Sequence, residues 1–205
     1  VCCAVVAILA GLIYRKWLPA SVQILMIEGA TSIGSDITSI MNPNHTNVVF
    51  NIFMFLDTFL LILASSSLQG SNIKYRLKKI YLITFCMVWV VSIATSGIDT
   101  FANFAFAVGE FCVTLDYLYT VFLNETGDDR KLAVPVRMLS FALILYHCGT
   151  FTFFIALPSL MNESTPEYIL DINTWLDSTK YLMIAFSFYL FKRSHQPSQI
   201  QVDGK

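Results

Sequence analysis

Glu28, Asp57, Glu110, His147 and Lys180 are the side chains with which this chain can do chemistry, because each falls near the centre of a different long apolar stretch. A charge at the middle of a bilayer costs roughly 2.5 to 3.5 kcal/mol on insertion scales, so five such residues at one depth read as a site. Each lies within about three residues of the centre of its stretch, ~5 Å at the helical rise. Three carboxylates then share a layer with one lysine and one histidine, and Asp36, Asp116 and Asp177 lie within a turn or two. Lys180 neutralises only one acid. A layer short of positive charge binds a cation or an amine, or exchanges protons, and its acids titrate as a coupled set.

Polar neighbours at helical spacing test whether these groups face one interior. The second stretch places Ser21, Ser32, Ser35, Asp36 and Ser39 on the face of Glu28, and the fifth places Asn103, Thr114 and Tyr117 on that of Glu110. Asn173, Asp177 and Ser187 accompany Lys180, Asn51, Thr58 and Ser65 flank Asp57, and Arg137 and Ser140 precede His147. Five polar seams predict a shared polar interior, with the first and fourth stretches at the periphery. The bland alternative is packing, since ion pairs also set register in membrane bundles, and Asp177 and Lys180, three apart, can pair with each other.

The elements that must position this layer are membrane helices. A chain that is 56% apolar and only 13% charged, with a mean hydropathy of +0.63, is too oily for a soluble domain of its length. Crossing roughly 30 Å of hydrocarbon takes about 20 residues. Seven stretches approach that length: Val1 to Leu18, Ala20 to Met41, Val48 to Ser66, Ile80 to Ser96, Phe101 to Leu123, Val134 to Leu160, and a last one opened by Ser164-Thr165-Pro166-Glu167 and ending at Phe191. The expectation is an all-α, polytopic seven-helix bundle over residues 1–193 with a short cytoplasmic tail at 194–205. The first stretch reaches only ~21 Å by Tyr14, so either Arg15 and Lys16 snorkel to the interface or the first turn has been lost, and a cleaved signal peptide is the weaker reading.

Lysine and arginine set the orientation, because cytoplasmic loops carry their excess. Arg15 and Lys16, then Lys74, Arg76, Lys78 and Lys79, then Arg130 and Lys131, then Lys192, Arg193 and Lys205 all fall on one side. This predicts the N-terminus outside and the C-terminus inside, with Arg137 snorkelling from the base of the sixth helix. Trp17 and Trp175 suit the two interfacial belts. Five cysteines, all inside the stretches, show no paired spacing and read as small apolar fillers rather than a disulfide framework. Asn44-His45-Thr46, Asn124-Glu125-Thr126 and Asn162-Glu163-Ser164 are acceptor-type triplets of low specificity. A pI near 6.3 and a net charge of -1 give no reason to expect nucleic acid as a partner.

Catalytic motifs are missing. Neither His-Glu-x-x-His nor a Glu-x-x-His pair occurs, which counts against an intramembrane metal-dependent hydrolase, although Glu28, Asp57, Glu110 and His147 are metal-ligand types. These patterns assign no metal and no cofactor. A lysine in the seventh helix and an acid in the third look like the layout of microbial rhodopsins, but the acid beside Lys180 is three residues away rather than four. A ligand- or proton-sensing, partner-binding component is the favoured reading, with the lipid bilayer, a cytoplasmic effector and a small polar or cationic ligand as partners. A small cation- or proton-coupled transporter or channel is the alternative, and a retinal-binding protein or metal-dependent hydrolase the next.

Tyr14-Arg15-Lys16, the run from Asn47 to Phe53, Glu110 in the fifth helix and Thr179-Lys180-Tyr181-Leu182 in the last give nearly the whole chain a further likeness. It resembles a diffuse group of small, uncharacterised seven-helix bacterial inner-membrane proteins. That resemblance implies architecture and inner-membrane location, and no activity.

Overall fold

The structure, a computed structural model, describes residues 2–65, 68, 72–126, 130–160 and 167–195. Among them are seven α-helices and no strand: α1 Cys2–Tyr14, α2 Ile24–Met41, α3 Thr46–Ser65, α4 Asn72–Ser96, α5 Asn103–Thr126, α6 Arg130–Leu160 and α7 Glu167–His195. The stop and start signals act as the residues require. Gly97, at φ +82°, closes α4 by donating its N–H to Ile93 O at 2.9 Å, in the left-handed conformation that glycine adopts without steric cost. Pro43 opens a short 3₁₀ turn that breaks the chain between α2 and α3. The capping residues expected at Ser164 to Pro166, the triplet at Asn162 and the tail beyond His195 lie outside the described residues.

Four helical segments are long and apolar enough to cross a membrane: Pro43–Ser65, Arg76–Ser96, Asn103–Phe122 and Val134–Ile155. The other three helices depart from that standard in different ways. α1 is 13 residues long, about 20 Å. α2 and α7 each add a second acid, Asp36 and Asp177, to their charge in the layer, yet Ile27, Ile37 and Ile40 on α2 and Leu182 and Phe186 on α7 are exposed, so their outer faces are apolar. The corner between α1 and α2 is tied by Gln23, whose amide donates to Leu18 O at 3.1 Å and Arg15 O at 3.3 Å.

Packing order is a ring. α1 lies against α2, α2 against α3, α3 against α5, α5 against α6, α6 against α7, and α7 against α1. α4 sits outside the ring in the groove between α3 and α5. The expectation that α1 and α4 are both peripheral therefore holds for α4 alone. Side-chain size explains the difference. α1 buries Ala4, Ala7 and Gly11, a small-residue stripe at helical spacing that lets two neighbours approach closely, whereas α4 points Ile80, Ile83, Met87, Val90 and Val91 outward. Only Lys78 and Phe85 of its described side chains are fully buried.

α5 is the hub because it meets α3, α4 and α6. Gly109 makes that possible: a Cβ there would lie 2.9 Å from Thr58 Oγ1 on α3 and 3.0 Å from Phe85 on α4. Gly34, by contrast, has nothing within 4 Å of its Cβ position. Overpacking a tight contact typically costs about 1–3 kcal/mol. We expect Gly109→Val to lower the midpoint of thermal unfolding in detergent, with Gly34→Val close to wild type. Equal midpoints for the two variants would show that the α3–α4–α5 junction is not close-packed.

Candidate functional site

All five layer residues are buried: Glu28 is 0% exposed, His147 1%, Lys180 3%, Asp57 8% and Glu110 8%. Helical spacing turns each toward the ring interior, and the lateral order of the helices then decides who meets whom. Lys180 on α7 reaches across to α2, with its Nζ 3.2 Å from Glu28 Oε1. The same Nζ lies 3.2 Å from Asp177 Oδ1, one turn away on α7. It also stands 4.1 Å from the centre of the Tyr146 ring and 4.3 Å from that of Tyr181. Two carboxylates and two aromatic faces thus replace the water that an ammonium would otherwise hold. Tyr181 completes the corner by donating its hydroxyl to Glu28 Oε1 at 3.0 Å.

Glu110 on α5 and His147 on α6 form the second pair, carboxylate to Nδ1. The edge of the His147 ring meets Tyr146, with centroids 4.9 Å apart, so one tyrosine touches both the histidine and Lys180. Asp57 on α3 lies within electrostatic range of Glu28, Lys180 and Glu110, and so between the two pairs. It makes no hydrogen bond or ion pair to Lys180, and its side-chain hydrogen bond is with Glu28 on α2. His147 Nε2 is buried without a partner. The five groups therefore form one connected layer and do not pair off into separate corners.

The remaining candidate acids divide. Asp177, with 30% of its side chain exposed, and half-buried Asp36 lie toward the N-terminal end of α7 and the C-terminal end of α2, within electrostatic range of one another. They flank the layer at that end of the bundle. Asp116 belongs elsewhere. Six residues along α5 from Glu110, ~9 Å at the helical rise, it accepts a hydrogen bond from Ser65 on α3 and stands 4.0 Å from Lys78 Nζ on α4. Lys78 also donates to Ser65 Oγ at 2.7 Å and Ile62 O at 3.3 Å.

That second cluster corrects the sequence reading of Lys78, which was assigned to an inner loop because the apolar window of the fourth helix opens at Ile80. The helix begins at Asn72 instead. Its periodicity, carried back from Trp89 and Phe85 by four and seven residues, places Lys78 on the same face, and this signal would have found it. Tyr146 and Tyr181 were missed for a different reason. Aromatic residues in an apolar helix give no sign of which cation they face.

Three seam residues have other work. Asn51 donates to Ile98 O at 2.8 Å and Thr100 O at 2.9 Å and accepts from Ala102 N at 3.2 Å, fixing the α4–α5 connection. Tyr117 donates to Leu61 O at 3.0 Å, a tie from α5 to α3. Arg137 is exposed on the outside of α6 and does not join the interior seam. The metal-ligand set of Glu28, Asp57, Glu110 and His147 is divided between partners, and among the described residues no three His, Cys, Asp or Glu side chains gather as a metal site would require.

No protein-family model, curated protein or solved structure matches the chain. The site stands on its own geometry. Removing one partner of a buried ion pair typically costs about 3–5 kcal/mol, because the other charge stays buried and uncompensated. Lys180→Met should therefore unfold far more readily than wild type in a denaturant series in detergent, and Lys180→Met with Glu28→Gln should recover much of the loss. A double variant no better than the single one would show that Glu28 is not the group Lys180 compensates.

Proposed function

We propose that this chain is a seven-span protein of the bacterial inner membrane, N-terminus outside and C-terminus inside, that senses protons or a small cationic ligand through its buried layer and relays that state to a cytoplasmic partner. One observation carries the reading: two ion pairs of the layer join different helices, Glu28 on α2 with Lys180 on α7 and Glu110 on α5 with His147 on α6. Protonating a carboxylate, or seating a cation beside Asp57, changes how strongly those helices are held. A shift from 1:99 to 99:1 between two packings requires about 5.5 kcal/mol, and loss of one buried pair supplies most of that.

The span count draws on how α2 and α7 dispose of their charges. Both turn Glu28, Lys180 and their polar neighbours inward and present apolar residues outward, which suits a helix in lipid as much as a uniformly apolar one. Orientation draws on the basic residues. Removing Lys78, which is turned into the protein, leaves Arg15, Lys16, Lys74, Arg76, Lys79, Arg130, Lys131, Lys192 and Arg193 still on one side.

Transport is the second reading, and a specific feature favours it. Thr114 Oγ1, Ser140 Oγ and Ser187 Oγ are buried without hydrogen-bond partners, on the faces of Glu110, His147 and Lys180 and displaced toward the inner side. Threonines such as Thr150 and Thr179 instead bond a carbonyl one turn back. Unfilled hydroxyls beside a charged layer suit a file of water or a passing ion.

Reconstituted vesicles separate the two readings. The sensor predicts no proton or cation flux above empty vesicles, together with a pH-dependent change in the α2–α7 distance between spin labels that disappears in Glu28→Gln. Uptake that disappears in Asp57→Asn or Glu110→Gln would assign transport. An α2–α7 distance unaffected by pH and by small cations, with no flux, would remove both.

A further inference from the structure

On the outside of the bundle, α5, α6 and α7 form a groove of about 770 Å³, within the usual range for a bound small molecule. Leu118, Met138, Phe141, Ile144 and Phe186 make its walls. Among the described residues, one charged residue lines it, Arg137, and no acid does. The Arg137 side chain is exposed and has no hydrogen bond, ion pair or ring contact with the described residues.

Position along the helix gives the groove a polarity. Arg137 lies three residues into the Val134–Ile155 span, ~4.5 Å from its inner end, and the apolar wall continues to Ile144, ~10 Å further toward the bilayer centre. A guanidinium at the interface with an apolar slot running inward matches an amphiphile with an anionic head and a hydrocarbon tail. Arginine suits the head, because its planar fork donates two parallel hydrogen bonds to a phosphate. The end of α7 adds Lys192 and Arg193 two and three residues past Leu190, which also lines the groove. Lys192 lies over the Trp17 and Tyr14 rings, at 5.3 and 5.5 Å, while Arg193 is exposed, and both raise the local positive potential. A second copy of the chain is the poorer occupant, since a two-fold interface there would bury two unpaired guanidinium groups in apolar surroundings.

We propose that this groove is a binding site for an anionic phospholipid, with the Arg137 guanidinium on its phosphate and one acyl chain along Met138, Phe141 and Phe186. Assignment to the inner leaflet rests on the orientation proposed above. The headgroup preference does not depend on it, nor on what the buried layer does.

Native mass spectrometry of the full chain, released from detergent with equal dioleoyl-phosphatidylglycerol and dioleoyl-phosphatidylcholine, tests the site. Retention of phosphatidylglycerol should exceed that of phosphatidylcholine by about fivefold or more, the preference expected of a single well-placed basic residue. Arg137→Gln should reduce the preference to parity, and Arg137→Lys should keep part of it, with charge retained and the fork lost. Equal retention of the two lipids by the wild-type chain would overturn the proposal without any variant. So would an unchanged preference in Arg137→Gln. A lipid-free dimer whose contact is disrupted by Phe141→Trp would give the groove to a second copy instead.

Discussion

A charge placed where water cannot follow must be matched by other protein groups, and in this chain the match is made around one ammonium. Lys180 draws a carboxylate from α2, another from its own helix and the faces of two tyrosines, one of them on α6. With that lysine committed, the other acids of the layer must find support elsewhere. Glu110 turns to His147, and Asp57 turns to Glu28. The helix order follows the same constraint. α1 can lie against both α2 and α7 because its inner face is Ala4, Ala7 and Gly11, and a bulkier face would push the two helices beyond the reach of a lysine side chain.

Much of this was legible in the sequence, because burial in lipid leaves two strong traces. Long apolar stretches gave the helices, and charges at a common depth within them gave the layer, whose five members converge. Pairing was not legible. Spacing along a helix fixes which face a residue occupies, but Glu28 meets Lys180 because α2 and α7 both come to lie against α1, and that order is set by packing among all the helices. The same limit explains the seam residues that serve other purposes. Asn51 and Tyr117 have the spacing of site residues, yet one is spent on a connecting loop and the other on a backbone carbonyl. A polar group in an apolar helix announces that it needs a partner, and its position does not say whether the partner is charged, backbone or ligand.

Long basic side chains lie where neither hydropathy nor periodicity alone places them. Lys78 sits just beyond an apolar window and looks like a loop residue, but its flexible stem carries the ammonium into the α3–α5 junction, where Ser65 and Asp116 receive it. Arg137 shares the His147 stripe by spacing and still lies outside, because a guanidinium near a helix end reaches the interface at lower cost than it enters the core. For such residues the choice depends on whether an acid waits inside. Asp116 does for Lys78, and among the described residues none does for Arg137.

The two interhelical pairs of the layer are not equivalent in what a proton would do to them. α5 and α6 pack against each other along much of their length, so the Glu110–His147 bond adds to a contact that apolar side chains already hold. Loosening it redistributes charge near Asp57 and leaves the helices in place. On the other side of the ring, α1 packs against both α2 and α7, and the polar link between those two helices runs from Lys180 and Tyr181 to Glu28 Oε1, with Ser32 also bonded to Tyr181. That Glu28 oxygen receives both donors. A proton on Glu28 would weaken the ammonium and tyrosine contacts together, at the seam with the least apolar packing of its own. If the layer reports on protons or cations, the α2–α7 seam is where the bundle yields, and Glu28 is the residue through which it does so.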